Sequence, residues 1–154
     1  MEKEKKEKRP NVDLLQSVLH NSEIGICAID YIFPEVESVN LEKILKAQKT
    51  KLQNITDKAK QLGEKKKIEL KPNSPFKKSK MWLAIKMSAF WEDDAQHLSE
   101  MVTLGYFMSV VNMIKSLADC KKANEDIIKI ARELKKISED SVNELVPFLE
   151  RAKK

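Results

Sequence analysis

The chain has 154 residues, with 29 Lys and Arg against 24 Asp and Glu, but only three glycines and five prolines. That length suits one domain with a core of its own, and so little turn chemistry argues against a many-stranded sheet. The net charge of +5 is unevenly placed: residues 1–9 carry +2 and residues 64–80 carry +5, leaving −2 for the rest. Basicity confined to an arm and a connector is a solvated feature, not the basic face that specific nucleic-acid binding requires, so no nucleic-acid partner is expected.

Residues 1–10, MEKEKKEKRP, read as a disordered charged arm. No hydrophobic segment follows in the manner of a secretory signal, and the expected location is cytoplasmic. From Val12 the apolar positions Leu15, Leu19, Ile26, Ile29 and Phe33 recur at helical spacing, with Val18 widening the stripe. Pro34 ends this first helix, because its ring cannot continue the hydrogen-bond ladder. Asn40 is the expected cap of the second helix, with Glu42 in its first turn at the positive end of the dipole. The second helix carries a near-heptad of Leu41, Leu45, Gln48, Leu52, Ile55, Ala59 and Leu62, and Gly63 is the expected left-handed stop. Gln48, alone among apolar neighbours, reads as a register device or a partly exposed end.

A lysine-rich connector covers residues 64–74, and Ser74-Pro75 has the form of a helix start. One helix from there to Leu117 would hold 43 residues, about 65 Å at the usual rise. That is too long to lie beside its neighbours. A break is therefore expected between Ser88 and Asp94, leaving a short extra helix from Pro75 to about Phe90 with Trp82 and Trp91 as packing anchors. The third long helix then runs to Leu117. Its charge-free apolar run, residues 101–114, is 14 residues long, short of the roughly 20 that cross a bilayer, so it reads as a buried helix and no membrane partner is expected. Residues 118–123 make a turn. The fourth helix turns Ile127, Ala131, Leu134, Ile137, Ser141, Leu145 and Phe148 inward, with Pro147 near its end and a basic tail over residues 151–154. The two cysteines, Cys27 and Cys120, read as reduced thiols.

Short connections make neighbours antiparallel. The expected fold is all-α: an up-down-up-down four-helix bundle over residues 11–150, with an extra short helix before the third long one.

Two tetrapeptides could carry chemistry. His20-Asn21-Ser22-Glu23 and His97-Leu98-Ser99-Glu100 each set an imidazole and a carboxylate on one helical face. In an up-down-up-down bundle their helices are diagonal and parallel, which brings both to one depth, with Glu139 approaching from the fourth helix. His97, Glu100, Glu23, His20 and Glu139 are thus the candidate ligands, and imidazole with carboxylate suits iron, manganese or zinc. The plain alternative is that both histidines lie at helix edges in water. No glycine-rich phosphate loop is present. Ser22 and Ser99 stand two residues from a histidine, a spacing at which helical side chains do not face each other. No third group orients a base, so neither an enzymatic activity nor a small-molecule substrate is read from the chain. Asp30 stands out as a polar residue on the core side, expected to bond a neighbouring helix or a loop backbone near the bundle end.

Residues 21–30, Asn21-Ser22-Glu23-Ile24-Gly25-Ile26-Cys27-Ala28-Ile29-Asp30, together with Pro34-Glu35-Val36 and His97-Leu98-Ser99-Glu100-Met101, resemble a family of uncharacterised bacterial proteins, mostly from Firmicutes, with a ferritin-like four-helix bundle. A weaker similarity covers residues 137–149. The resemblance implies a ferritin-like architecture and recurrence of the Asp30, His97 and Glu100 positions. It carries no activity. The His20 position varies in that pattern, and Ser138-Glu139-Asp140 stands where consecutive glutamates are usual. Two functional readings follow: a bundle holding a metal ion between helices, or a non-enzymatic scaffold with a degenerate metal site that forms homo-oligomers or binds a partner.

Overall fold

Apolar side chains at three- and four-residue intervals build four long helices in the computed structural model, which describes residues 2–72 and 95–150. Helix α1 spans Glu2–Ile32. It already includes residues 2–10, where the charge pattern suggested a disordered arm. Glutamate and lysine are good helix formers, and Pro10 costs the ladder only the bond to Lys6, whose exposed carbonyl water can serve. A short 3₁₀ turn, Phe33–Glu35, containing Pro34, ends the helix as expected.

Helix α2 spans Val39–Lys65. Its cap is Ser38, whose Oγ accepts the Leu41 N–H at 3.2 Å, so Asn40 lies inside the first turn. Gly63 does not stop the helix either. The left-handed residue is Lys67, at φ 55°. Around it the Ile68 N–H bonds to the Gly63 carbonyl at 2.8 Å and the Lys67 N–H to that of Glu64 at 3.2 Å, the double closure of a Schellman motif. Gly63 serves close approach instead: an added Cβ would lie 2.9 Å from the Leu70 Cδ1 that folds back over it. Helices α3, Ala95–Asp119, and α4, Glu125–Leu149, are joined by a tight turn. The Asn124 N–H at that turn donates to Asn11 Oδ1 at 2.7 Å, pinning it to α1.

Cross-helix bonds fix the directions. Asp30–Lys49 and Ser22–Thr56 run α1 against α2. Ser17–Ser116 and Asn21–Asn112 run α1 against α3. Lys58–Glu133 and Lys66–Asp126 run α2 against α4, and Ser109–Ser138 with Gln96–Leu149 run α3 against α4. Helices α2 and α3 are therefore parallel to one another. The order is up-down-down-up, not the expected up-down-up-down, and α1 and α3 are antiparallel neighbours, not a parallel diagonal pair. The cause lies in the chain between α2 and α3. It is long enough to join opposite ends of the bundle, so the rule that short loops reverse direction does not govern it. It turns back at once, with Gln16 gripping Lys71 through two 2.7 Å bonds, Nε2 to the carbonyl and N–H to Oε1. The short helix expected from Pro75, its anchors Trp82 and Trp91, and the tail at 151–154 lie outside the described residues.

Of the expected stripe of α2, Leu41, Leu45, Gln48, Leu52, Ile55 and Ala59 are buried and Leu62 is half-buried. They meet Leu14, Leu15, Val18 and Ile29 of α1, Leu98, Val102 and Met113 of α3, and Ile127, Leu134 and Leu145 of α4. Each fully buried leucine or isoleucine contributes roughly 1.5–3 kcal/mol. Gly25 admits the Leu52 methyl where its own Cβ would be, drawing α1 and α2 together.

Because Lys67 holds a conformation that side chains with a Cβ disfavour, Lys67→Gly is expected to raise stability by about 1 kcal/mol. In thermal denaturation that amounts to a Tm rise of roughly 2–4 °C; an unchanged or lower Tm would show that the turn is not strained.

Candidate functional site

The five residues singled out as metal ligands are spread along the bundle. The Ser17–Ser116 and Asn21–Asn112 bonds set the register of α1 against α3. By that register His97 is level with the end of α1, some sixteen residues beyond His20, or about 24 Å at the helical rise. The two tetrapeptides thus lie far apart in depth, and the reason is the direction of α3. His20 is half-buried, with a ring nitrogen 3.1 Å from the Lys71 carbonyl, against the backbone that leaves α2. His97 is half-buried near the end of α4. Glu100 is exposed one turn on, and Glu23 is half-buried on α1. Glu139 is exposed and paired with Lys135 at 2.8 Å on its own helix. The i, i+3 spacing keeps His97 beside Glu100 on α3 and His20 beside Glu23 on α1, but the two pairs lie far from one another. Among the described residues no group of three or more His, Cys, Asp or Glu is placed to hold a metal ion. Asp30, expected on the core side, is half-exposed; it does bond a neighbouring helix, through Lys49.

What occupies the bundle centre is neutral. Gln48 is fully buried on α2; its Oε1 accepts the Tyr106 hydroxyl at 2.8 Å, and its Nε2 donates to the Ser141 carbonyl at 3.3 Å. One amide thereby ties α2 to α3 and α4. Burial pushes the Tyr106 phenol well above its ordinary range; the nearby Ser141 hydroxyl opposes this in part, and the Glu144 carboxylate adds a smaller upward push. On the same helix as Tyr106, the buried Ser99 Oγ and Thr103 Oγ1, like Ser141 Oγ on α4, have no hydrogen-bond partner among the described residues. A second polar contact, Thr56 Oγ1 to Ser22 Oγ at 2.9 Å, joins α2 to α1. Paired inward glutamates and Glu-x-x-His turns are what a dinuclear carboxylate centre in a helix bundle requires. An amide, a phenol and hydroxyls stand there instead, and they do not fit such a centre.

The surface holds a feature the sequence reading missed. Leu104 is 57% exposed, Phe107 53%, Met108 67%, Val111 49% and Ile114 51%. They follow one another along the outer face of α3, while Leu98, Val102, Tyr106 and Met113 face inward. The expectation of a buried helix over residues 101–114 therefore holds for only one of its faces. Met113 is buried in the core, whereas Met108 is exposed. The signal was available: apolar residues occur all round this helix, whereas a two-layer bundle needs only one stripe per helix. Among the described residues, α3 alone has the length and apolar composition of a membrane-crossing segment. Two shallow depressions along α4 are lined mainly by charges of both signs; Lys58 and Glu133, which line one of them, pair with each other, and Asp126 pairs with Lys66 beside them.

No family model, curated protein or solved structure matches this chain.

Tyr106→Phe leaves the buried Gln48 oxygen without its donor, and a loss of about 1–3 kcal/mol is expected in denaturant unfolding. Adding Gln48→Leu to that variant should restore part of the loss, since no orphaned amide then remains. The phenol has a second signature. Its folded pKa is raised above the ordinary value of 10.0. The neutral form is thus favoured by folding, and the stability it contributes is full below pH 10 and declines as pH rises beyond it. Tyr106→Phe should remove that part of the alkaline slope; a slope identical to the parent's would mean that the phenol is not buried in solution.

Proposed function

We propose that this chain is a ferritin-like helical bundle without a metal centre, working as an assembly or partner-binding scaffold through the outer face of α3. The ferritin-like part is supported by connectivity: two antiparallel hairpins joined by one link between opposite ends, the single-crossover arrangement of ferritin-like bundles. The scaffold part is supported by the neutral centre of Gln48, Tyr106 and Ser141, and by the dispersal of His20, Glu23, His97, Glu100 and Glu139. The observation that carries the reading is the row of five large apolar side chains, each about half-exposed, on one helix. Contiguous apolar surface of several hundred Å² marks an interaction site on a folded protein.

Metal analysis separates this reading from the metal-binding one. Protein purified without tag or chelator is expected to hold iron, manganese and zinc at well below one equivalent, and none of these ions should raise its Tm by more than about 1 °C, since a ligand that binds the folded state tightly must stabilise it. Stoichiometric metal that is lost in His97→Ala or Glu100→Ala would overturn the proposal and restore a site built on that pair.

A further inference from the structure

The apolar face of α3 has a symmetry that bears on what covers it. Centred between Phe107 and Met108, the sequence pairs with its own reverse: Phe107 falls opposite Met108, Leu104 opposite Val111, and Met101 opposite Ile114. One step further out, Glu100 falls opposite Lys115. Both are exposed, and neither forms an ion pair with a described residue. A parallel arrangement would set Glu100 against Glu100 and Lys115 against Lys115, whereas an antiparallel one sets opposite charges together twice. Between them the helix carries no charge at all over residues 101–114. Gly105 borders the stripe with nothing within 4 Å of where a Cβ would stand, so a neighbouring helix can come close there.

From this pattern we infer that the outer face of α3 is the interface of a two-fold dimer, with the α3 helices of two copies packed antiparallel about an axis between Phe107 and Met108. The inference rests on the scaffold reading and names its partner. A two-fold axis makes each contact twice with one patch, so the patch must be complementary to itself, and this one is. The five side chains present on the order of 500 Å² per copy, against roughly 800 Å² per partner in a standard interface. Flanking Met101, Glu100 and Lys115 supply much of the remainder. The apolar centre drives association, and the two charge pairs at its ends fix the antiparallel sense.

Sedimentation equilibrium of the full chain is the test, run with far-ultraviolet circular dichroism on each variant. The wild-type chain is expected to be a dimer, and Phe107→Glu a folded monomer, since that side chain is outside the core. Glu100→Lys and Lys115→Glu should each weaken the dimer by roughly fivefold. The double variant should recover wild-type association, because the exchange restores both pairs. A dimer unaffected by Phe107→Glu overturns the inference, as does a double variant weaker than either single one. A monomeric wild-type chain overturns it as well. Its Phe107 and Met108 would then be protected from oxidative labelling if residues 73–94 cover the face, or the chain would float with neutral phosphatidylcholine vesicles if a lipid surface does. Failure here is distinct from failure of the scaffold reading: a monomer that takes up no metal sinks only the pairing, whereas a dimer that binds stoichiometric metal through His97 sinks only the scaffold.

Discussion

A primary amide placed in a dry bundle must find partners for its donors and its acceptor, and Gln48 has found them on two other helices. That requirement fixes more than a local contact. With Oε1 on the Tyr106 hydroxyl and Nε2 on the Ser141 carbonyl, α2 cannot slide by a turn against α3 or α4 without stranding a buried polar group. Aliphatic packing alone tolerates such slips far better, since one leucine replaces another at little cost. The neighbouring Ser109–Ser138 and Ser22–Thr56 contacts work in the same sense at other levels. The same neutral groups occupy the space where a metal-binding bundle needs paired carboxylates. Register is therefore secured by hydrogen bonds at a position that could otherwise have held ligands.

The fold and the surface are coupled through the direction of α3. Because α3 runs parallel to α2, its polar first turns lie at the end of α1 and of α4, and its apolar body runs along the length of the bundle. One side of that body completes the core with Leu98, Val102 and Met113. The other side has none of the described helices opposite it, and Leu104, Phe107 and Val111 are exposed there. A helix that is apolar all round needs cover on both sides. The four described helices supply it on one.

Periodicity in the sequence identified the helices and most of the inward residues of α2 and α4, because a 3.6-residue repeat with one apolar stripe has a single way to be buried; it missed Ile128, Ile130 and Ser138, which widen the buried face of α4. It was less informative at the ends. Ser38, not Asn40, caps α2, and Lys67, not Gly63, takes the left-handed turn; cap and stop chemistry is shared by several adjacent residues, and only backbone geometry chooses among them. Topology was the real loss. Nothing in residues 64–94 says whether that stretch reverses the chain or returns it to the starting end, and every expectation about His20 and His97 meeting depended on that choice. The outer stripe of α3 was legible in principle, but its residues were counted as core because the run was read as a whole and not by face. Gln48 was read as a register device or a partly exposed end; it is fully buried and bonded to two other helices.

The up-down-down-up order also shapes how the chain reaches this structure. Helices α1 and α2 form one hairpin and α3 and α4 another, each closed by a short connection and rich in sequence-local contacts. Such units assemble quickly, and their mutual docking is the step that must overcome the entropy of a long link. Each hairpin leaves half of the core uncovered until the other arrives. Insertions in the link would raise the docking cost only logarithmically, so the length of that segment can drift over evolution while the two halves keep their fit.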